Sequence, residues 1–179
     1  MPRSTPVTDL LLHPVRWSIV QRTMGREVTM SQLRAELPEV STTSLYRQVT
    51  TLLDAGVLQV VREERVRGAV ERTLALKPTE DLRAAGAEEA AVMSPAQHRV
   101  GLSLLLAQTS RDLERSIERG DLAERTDELS YGQTALYVSP EELPELQAAL
   151  DRTLAPYLQP DEGAGRRRIM LSVIAIPDA

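Results

Sequence analysis

The sequence predicts a mainly helical α+β fold in two parts. A first half of three helices and a two-stranded hairpin is followed by a second half that alternates helix, strand, helix and strand. Two observations lead to this prediction. Apolar residues recur at spacings of three and four behind helix-capping residues, and the pattern changes to short β-branched runs after residue 56. No apolar run reaches the roughly 20 residues of a membrane span and no secretory signal is visible, so a cytoplasmic protein is expected, without membrane partners.

The first two predicted helices have clear start and stop signals. The first begins at Pro14, because proline at a first helical position loses no needed hydrogen bond, and it ends at Gly25. The second begins with a capping-box pattern at residues 29–32 and ends before Pro38, which cannot continue the hydrogen-bond ladder. Each stretch carries one apolar face, as a helix packed on a core requires.

The third helix and the hairpin complete the predicted first domain, residues 1–78. Ser41 is the expected N-cap of a helix over residues 42–55, and Gly56 is its expected left-handed stop. The inner face of this helix is formed by Leu45, Val49, Leu52 and Leu53. Residues 57–61 and 69–76 then predict two strands joined by a charged tip, residues 62–68. Three helices followed by a hairpin are typical of the winged helix-turn-helix arrangement.

The second half is predicted as a connector, residues 79–93, and a further domain, residues 94–179. A capping box at residues 94–97 starts a long helix that continues to about Gly120. Residues 134–138 predict a strand, and a capping box at Ser139 starts another helix that runs to Leu154. The apolar run at residues 169–176 predicts a strand covered on both faces.

The outward side of the third helix carries the predicted function. In a helix-turn-helix this helix enters the DNA major groove, which is about 12 Å wide, and reads bases or holds phosphates. The residues of this helix that are not on the inner face carry hydroxyl, amide and guanidinium groups, which suit phosphate oxygens and base edges. These residues are Thr42, Thr43, Ser44, Arg47, Gln48 and Thr51. No acidic residue interrupts residues 42–53, whereas an ordinary solvated helix face usually mixes both charges. We therefore expect double-stranded DNA as the partner of this face.

Two further groups of residues allow two interpretations each. Tyr46 either donates its hydroxyl to a phosphate or packs its ring against the second helix. The predicted hairpin tip offers Arg62, Arg65 and Arg67 to the DNA backbone, but it also carries glutamates and can be a solvated surface. We include all four residues in the predicted DNA-binding set.

Charge is distributed unevenly along the chain. Residues 1–78 hold 11 basic and 8 acidic residues, a net charge of +3, whereas the remainder has a net charge of −8. This split suits a first half that approaches phosphate, although a value of +3 also falls within ordinary variation.

The chemistry of catalysis is not visible in this sequence. There is no cysteine, and the two histidines, His13 and His98, lie in no catalytic or metal-binding motif. We find no phosphate loop, nucleophile elbow or dinucleotide fingerprint. The prediction is a non-enzyme with no cofactor and no metal. The alternative for His98, ligation of a metal together with carboxylates, is weaker than a structural or solvated role.

The chain resembles the ArsR-like winged-helix regulators of bacteria in four segments that follow the same order. These segments are residues 13–16, 41–47, 53–58 and 65–72. The resemblance covers roughly residues 10–78. It implies a homodimeric transcriptional regulator, with repression the commoner mode. Metal-sensing members of this family use cysteines, which this chain lacks, so thiolate sensing is not implied.

The function expected from the sequence is sequence-specific DNA binding by a homodimer. The long helix and the last predicted strand are the candidate dimer elements. A small-molecule effector of unknown identity is expected between the long helix and the strand–helix–strand part. The alternative function is a winged-helix adaptor that binds protein instead of DNA, although such an adaptor would more often expose large apolar side chains on its third helix.

Overall fold

The computed structural model describes residues 7–66, 68–77, 91–120, 125, 128–158 and 166–177. The chain divides into two compact units, of which the first ends at Glu118 and the second begins at Arg119. Over the described residues the protein is mixed α+β and mainly helical, with six α-helices and one three-stranded antiparallel sheet. The predicted fold class is confirmed at this level. None of the described helices combines the length and the apolar character needed to cross a membrane.

The first unit contains five helices among its described residues. They are α1 (Val7–Leu11), α2 (Pro14–Thr23), α3 (Met30–Glu36), α4 (Thr42–Asp54) and α5 (Pro95–Glu118). The capping box predicted for α3 is present: the Gln32 N–H donates to Thr29 Oγ1 at 3.1 Å, and the Thr29 N–H donates to Gln32 Oε1 at 2.8 Å. At the start of α4 the Ser44 N–H donates to Ser41 Oγ at 3.3 Å, as predicted. The short helix α1 was not predicted.

The sheet contains the predicted hairpin and one additional strand. The strands are β1 (Val28–Thr29), β2 (Leu58–Val66) and β3 (Ala69–Leu76), in the order β1-β3-β2 with antiparallel pairing. The strand β2 is longer than predicted, because residues 62–66, expected at the tip, continue to pair with β3. Gly56, at φ +71°, provides the predicted left-handed stop after α4, a conformation that glycine adopts without steric cost.

The core of the first unit lies between α2, α3, α4 and the sheet. Its fully enclosed side chains, with 0% exposure, are Ile19, Val28, Leu33, Leu45, Leu52 and Leu74. The predicted inner face of α4 is confirmed, since Val49 is also buried and Leu53 packs against the same cluster. Burying one leucine side chain contributes about 1.5–3 kcal/mol of stability. The cluster therefore stabilises the packing of α4 against α2 and α3.

Helix α5 is held to α2 through polar side chains. Ser18 Oγ donates to Gln108 Oε1 at 3.5 Å, and Gln108 is 2% exposed. The buried Arg22 donates through Nη1 to Asp112 on α5 at 3.3 Å, and its Nε lies 3.3 Å from Glu36 at the end of α3. One arginine therefore connects α2, α3 and α5.

The second unit contains α6 (Glu142–Leu154) and a 3-10 turn (Ala155–Tyr157) among its described residues. The capping box predicted before α6 is present, with the Glu142 N–H donating to Ser139 Oγ at 3.2 Å and the Ser139 N–H donating to Glu142 Oε2 at 2.7 Å. The Glu128 carboxylate accepts hydrogen bonds from Arg125 at 2.8 Å and Arg167 at 2.7 Å, which brings residues 39 positions apart together.

The two strands predicted in the second half are absent. Residues 134–138 and 169–176 are described, and neither forms a strand. An apolar run shows that side chains favour burial, but a strand also needs a neighbouring backbone to hydrogen-bond with, and these residues pair with none in the described chain. The predicted connector, residues 79–93, lies mostly outside the described residues.

Candidate nucleic-acid interface

The side of α4 opposite the core carries most of the predicted DNA-binding residues. Thr42, Thr43 and Arg47 are exposed, and Ser44 and Thr51 are half-buried. The Thr51 hydroxyl donates to the backbone carbonyl of Arg47 at 3.0 Å, so only its acceptor capacity is available to a ligand. The first acidic residue of the helix is Asp54, in its last turn. The exposed face therefore presents hydroxyls and one guanidinium without a carboxylate among them.

Gln48 does not lie on the outward face of α4, where it was predicted. It is only 6% exposed, so the expectation that it points outward was wrong. Gln48 lies three residues after Leu45 and four before Leu52, and both of these leucines are fully enclosed. Residues at these spacings share one side of a helix, which places Gln48 on the buried side. The same spacing rule applied from Arg47 identifies Thr50, which is exposed and was missed.

Tyr46 lies on the exposed side of α4. Its side chain is 51% exposed, so its ring is not enclosed against α3. This position leaves the phenol free to approach a ligand beside Arg47. An exposure of 51% excludes a fully enclosed ring and is compatible with both interpretations of Tyr46.

His13 and Arg16, at the beginning of α2, are nitrogen-bearing side chains that the sequence analysis did not assign to the face. Partial burial lowers the pKa of His13, and repulsion from Arg16 and then from Arg47 lowers it further, against an opposing backbone hydrogen bond. Arg47 affects the pKa of His13 because the start of α2 lies near α4. Two guanidinium groups, those of Arg16 and Arg47, thus lie around His13, whose lowered pKa favours the neutral imidazole. Sequence spacing does not reveal this grouping, since Arg47 lies more than 30 residues from both His13 and Arg16.

A polar cleft separates α3 from the first turn of α4. Its volume is about 380 Å³, and it is lined by Ser31, Arg34, Ala35, Pro38, Val40 and Thr42. The backbone N–H groups of the first helical turn have no partner within the helix, and they attract anions. Ser31 and Arg34 from α3 therefore extend the phosphate-compatible surface of α4.

The β2–β3 hairpin brings two of the three predicted arginines to the surface. Arg62 is exposed and forms long ion pairs with Glu27 at 3.8 Å and Glu64 at 3.6 Å. Such surface pairs contribute about 0–1 kcal/mol, so Arg62 can exchange them for a phosphate. Arg65 is exposed opposite Val70 and has no ion pair within the described part of the chain. Arg67, the third predicted arginine, lies outside the described residues.

His98 was the residue considered for metal binding. It is exposed near the start of α5. Among the residues that the structure describes, no group of three or more histidine or acidic side chains is placed to hold a metal ion. The described residues thus form no three-ligand group that includes His98.

The chain was also compared with known proteins. No family model matches it, and no curated protein matches it.

Proposed function

We propose that the protein is a transcriptional regulator that binds double-stranded DNA in a sequence-specific manner through a winged helix-turn-helix formed by its first unit. In this proposal α3 and α4 are the helix-turn-helix pair, α4 lies in the major groove, and the β2–β3 hairpin is the wing beside the DNA backbone. This assignment agrees with the resemblance to ArsR-like regulators, among which repression is the commoner mode.

One observation supports this proposal most strongly: the exposed face of α4 has no carboxylate before Asp54, and arginines lie on α4 itself and on the neighbouring helices α2 and α3. Arg47 lies on the helix itself, Arg16 at the start of α2 and Arg34 on α3. Phosphates repel carboxylates and attract guanidinium groups, so this distribution of charge suits a nucleic-acid backbone. A hydroxyl-rich helix start between them supplies donors and acceptors for base edges.

We propose further that the regulator works as a homodimer, and the second unit supports this part. None of its described residues is buried, and large apolar side chains such as Leu136 (62% exposed) and Leu171 (63%) face solvent. Apolar surface of this kind marks an interaction site. A dimer would place two copies of α4 about one helical turn of DNA apart, on a roughly palindromic site.

The test is fluorescence anisotropy with DNA from upstream of the protein's own gene and with a scrambled duplex, titrated across salt concentrations. Preference for the native fragment by roughly a thousandfold, with affinity that falls steeply as salt rises, is the expected result. Arg47→Ala should weaken binding by about tenfold or more while the protein stays folded.

The matched control is Arg152→Ala, which removes the same charge from an exposed position on α6. It should leave affinity nearly unchanged, because α6 takes no part in the proposed interface. Equal loss in both variants would show that only net charge matters. Absence of binding to either duplex at low salt would contradict the proposal and favour the protein-binding adaptor, with Tyr46 at the centre of its surface.

A further inference from the structure

A one-residue bulge in β2 divides the charged side chains of the hairpin between its two faces. Val60 pairs with Leu74, but the next pair is Arg62 with Thr73, so the residue between them, Val61, has no partner on β3. Consecutive residues of β3 point to opposite faces of the sheet, and paired residues share a face. Arg62 therefore lies on the face opposite to the buried Leu74. Without the bulge, Arg62 would lie on the side of the core.

The face that continues the core towards the hairpin tip is called here the helix-side face. Beyond the bulge it carries Glu63, Arg65, Val70 and Arg72. Helix α4 packs on this side of the sheet, because its inner residues share one core cluster with Leu58 and Leu74. Arg72 Nε donates to Glu63 Oε1 at 2.9 Å, so these two charges offset each other. Arg65, which has no ion pair in the described chain, is thus the available cation of this face.

The opposite face of the hairpin, called here the outer face, is acidic. It carries Arg62, Glu64, Glu71 and Thr73. Arg62 lies 3.6 Å from Glu64 and 3.8 Å from Glu27, which precedes β1. These ion pairs agree with the face that the strand register gives Arg62. One guanidinium among three carboxylates makes the outer face unfavourable for a DNA phosphate.

Val70 lies directly opposite Arg65 on the helix-side face. Its side chain is 57% exposed, and Arg65 is exposed as well. Proteins that bind the DNA minor groove combine arginine with apolar side chains in this way. The narrow minor groove of A·T-rich DNA has an enhanced negative potential, which attracts an inserted arginine. A phosphate contact would need only the guanidinium, so the exposed valine favours the groove over the backbone.

From this division we propose that the wing meets DNA with its helix-side face, that Arg65 enters the minor groove with Val70 beside it, and that Arg62 makes no DNA contact. The inference rests on the proposed function, since it assumes that the first unit binds DNA. It adds a class of site: A·T pairs lie beside the bases that α4 contacts. The face is the one on which α4 packs, so a single duplex can meet both.

The two arginines provide matched variants. Arg62 and Arg65 lie on one strand, both are exposed, and replacing either with alanine changes the net charge equally. In fluorescence anisotropy with the upstream duplex, Arg65→Ala should weaken binding by about tenfold and Arg62→Ala by less than about twofold. All variants should keep the wild-type melting temperature, because the side chains that they replace are exposed.

A double variant separates the position of the charge from its amount. Glu64→Arg combined with Arg65→Glu moves the guanidinium to the outer face and leaves the net charge unchanged. It should weaken binding at least as much as Arg65→Ala, because a carboxylate then occupies the helix-side face. Binding equal to that of the wild type would show that only the net charge of the hairpin matters, and it would overturn the proposal.

The groove is identified by footprinting and base replacement. Hydroxyl-radical footprinting should show A·T pairs that the wild type and Arg62→Ala protect in the minor groove and that Arg65→Ala leaves open. Replacing these pairs with G·C should weaken wild-type binding by about tenfold, because guanine places an amino group in the minor groove. Inosine·C pairs, which lack this amino group, should bind like A·T. Arg65→Ala should not distinguish the three duplexes.

Arg47→Ala on the same duplex distinguishes failure of this inference from failure of the proposed function. If Arg47→Ala loses binding while Arg65→Ala does not, α4 still binds DNA and the assignment of the wing is overturned. Equal losses for Arg62→Ala and Arg65→Ala would also overturn it, as would wild-type binding that is indifferent to G·C replacement. A wild-type protein that binds no duplex would overturn the proposed function, and this inference with it.

Discussion

The two compact units of this chain differ in how far their apolar side chains are buried. In the first unit the large aliphatic side chains of α2, α3, α4 and the sheet are enclosed by one another, and several have 0% exposure. In the second unit none of the described residues is buried, and aliphatic and aromatic side chains such as Ile169 (60%) and Tyr137 (98%) are exposed. The two halves have comparable apolar patterns in sequence, so apolar content alone does not produce a core. A core forms where elements can cover each other, and the second unit lacks such cover within its described chain.

The sharpest way to test this contrast is to remove equivalent side chains from both units. Leu45→Ala should destabilise the protein by about 3 kcal/mol, because it leaves a cavity in a close-packed core. Leu171→Ala should cost less than about 1 kcal/mol in dilute solution, since this side chain is 63% exposed. Urea denaturation of both variants measures the difference. Equal losses would show that Leu171 is enclosed in the protein in solution.

The attachment of α5 to α2 gives the second prediction. Arg22→Met should destabilise the protein by about 2 kcal/mol, because Asp112 and Glu36 lose their shared buried partner. The loss is smaller than for a fully buried ion pair, since both carboxylates are about one-third exposed and keep Arg115 and Arg26 as partners. Hydrogen exchange should show faster opening of α5 than of α4. Arg99→Met, at an exposed position of α5, is the control and should change neither measurement.

A third prediction concerns the exposed apolar residues of the second unit. If these residues form the proposed dimer contact, Leu171→Asp should raise the dimer dissociation constant by about tenfold or more, because a carboxylate would be desolvated on association. Sedimentation equilibrium measures this change. A wild-type protein that stays monomeric at all concentrations, or a variant that associates as well as the wild type, would contradict the dimer assignment for these residues.

The smallest expected effect is a pH dependence of DNA binding at His13. Burial and the neighbouring arginines lower the pKa of His13 below its usual 6.5 in the free protein. A DNA phosphate near this residue would favour the charged imidazolium and raise that pKa, so binding would take up a proton. Affinity should therefore increase by a few-fold as the pH falls through and below 6.5. In His13→Gln this increase should vanish, and its persistence would assign the proton uptake to another group.

The local signals in the sequence were the most informative. The structure contains the predicted antiparallel hairpin and the predicted helix-capping features. These features are the capping boxes at Thr29 and Ser94, the N-cap at Ser41 and the stop at Gly56. Each of these features depends on residues only a few positions apart. Backbone geometry and side-chain reach therefore determine them without reference to the remaining fold.

The candidate site was predicted only in part, because the spacing rule that identifies a helix face leaves its edges uncertain. Gln48 lies at such an edge: its spacing from Leu45 and Leu52 puts it on the buried side, and the packing of α4 encloses it to 6% exposure. Residues from other elements, such as His13 and Arg34, join the face only when α2 and α3 are in place. No local pattern could have assigned them to it.

The sequence by itself determined where most helices of this protein begin and end, which side of α4 faces inward, and that a hairpin follows Gly56. Tertiary structure decided what pairs over long distances: β1 against β3, Ser18 against Gln108, and Arg22 between Glu36 and Asp112. It also decided that residues 134–138 and 169–176 form no strand in the described chain. The physical reason is the range of the interactions. A helix satisfies its hydrogen bonds within one segment, whereas a strand or a buried ion pair needs a partner that only the fold supplies.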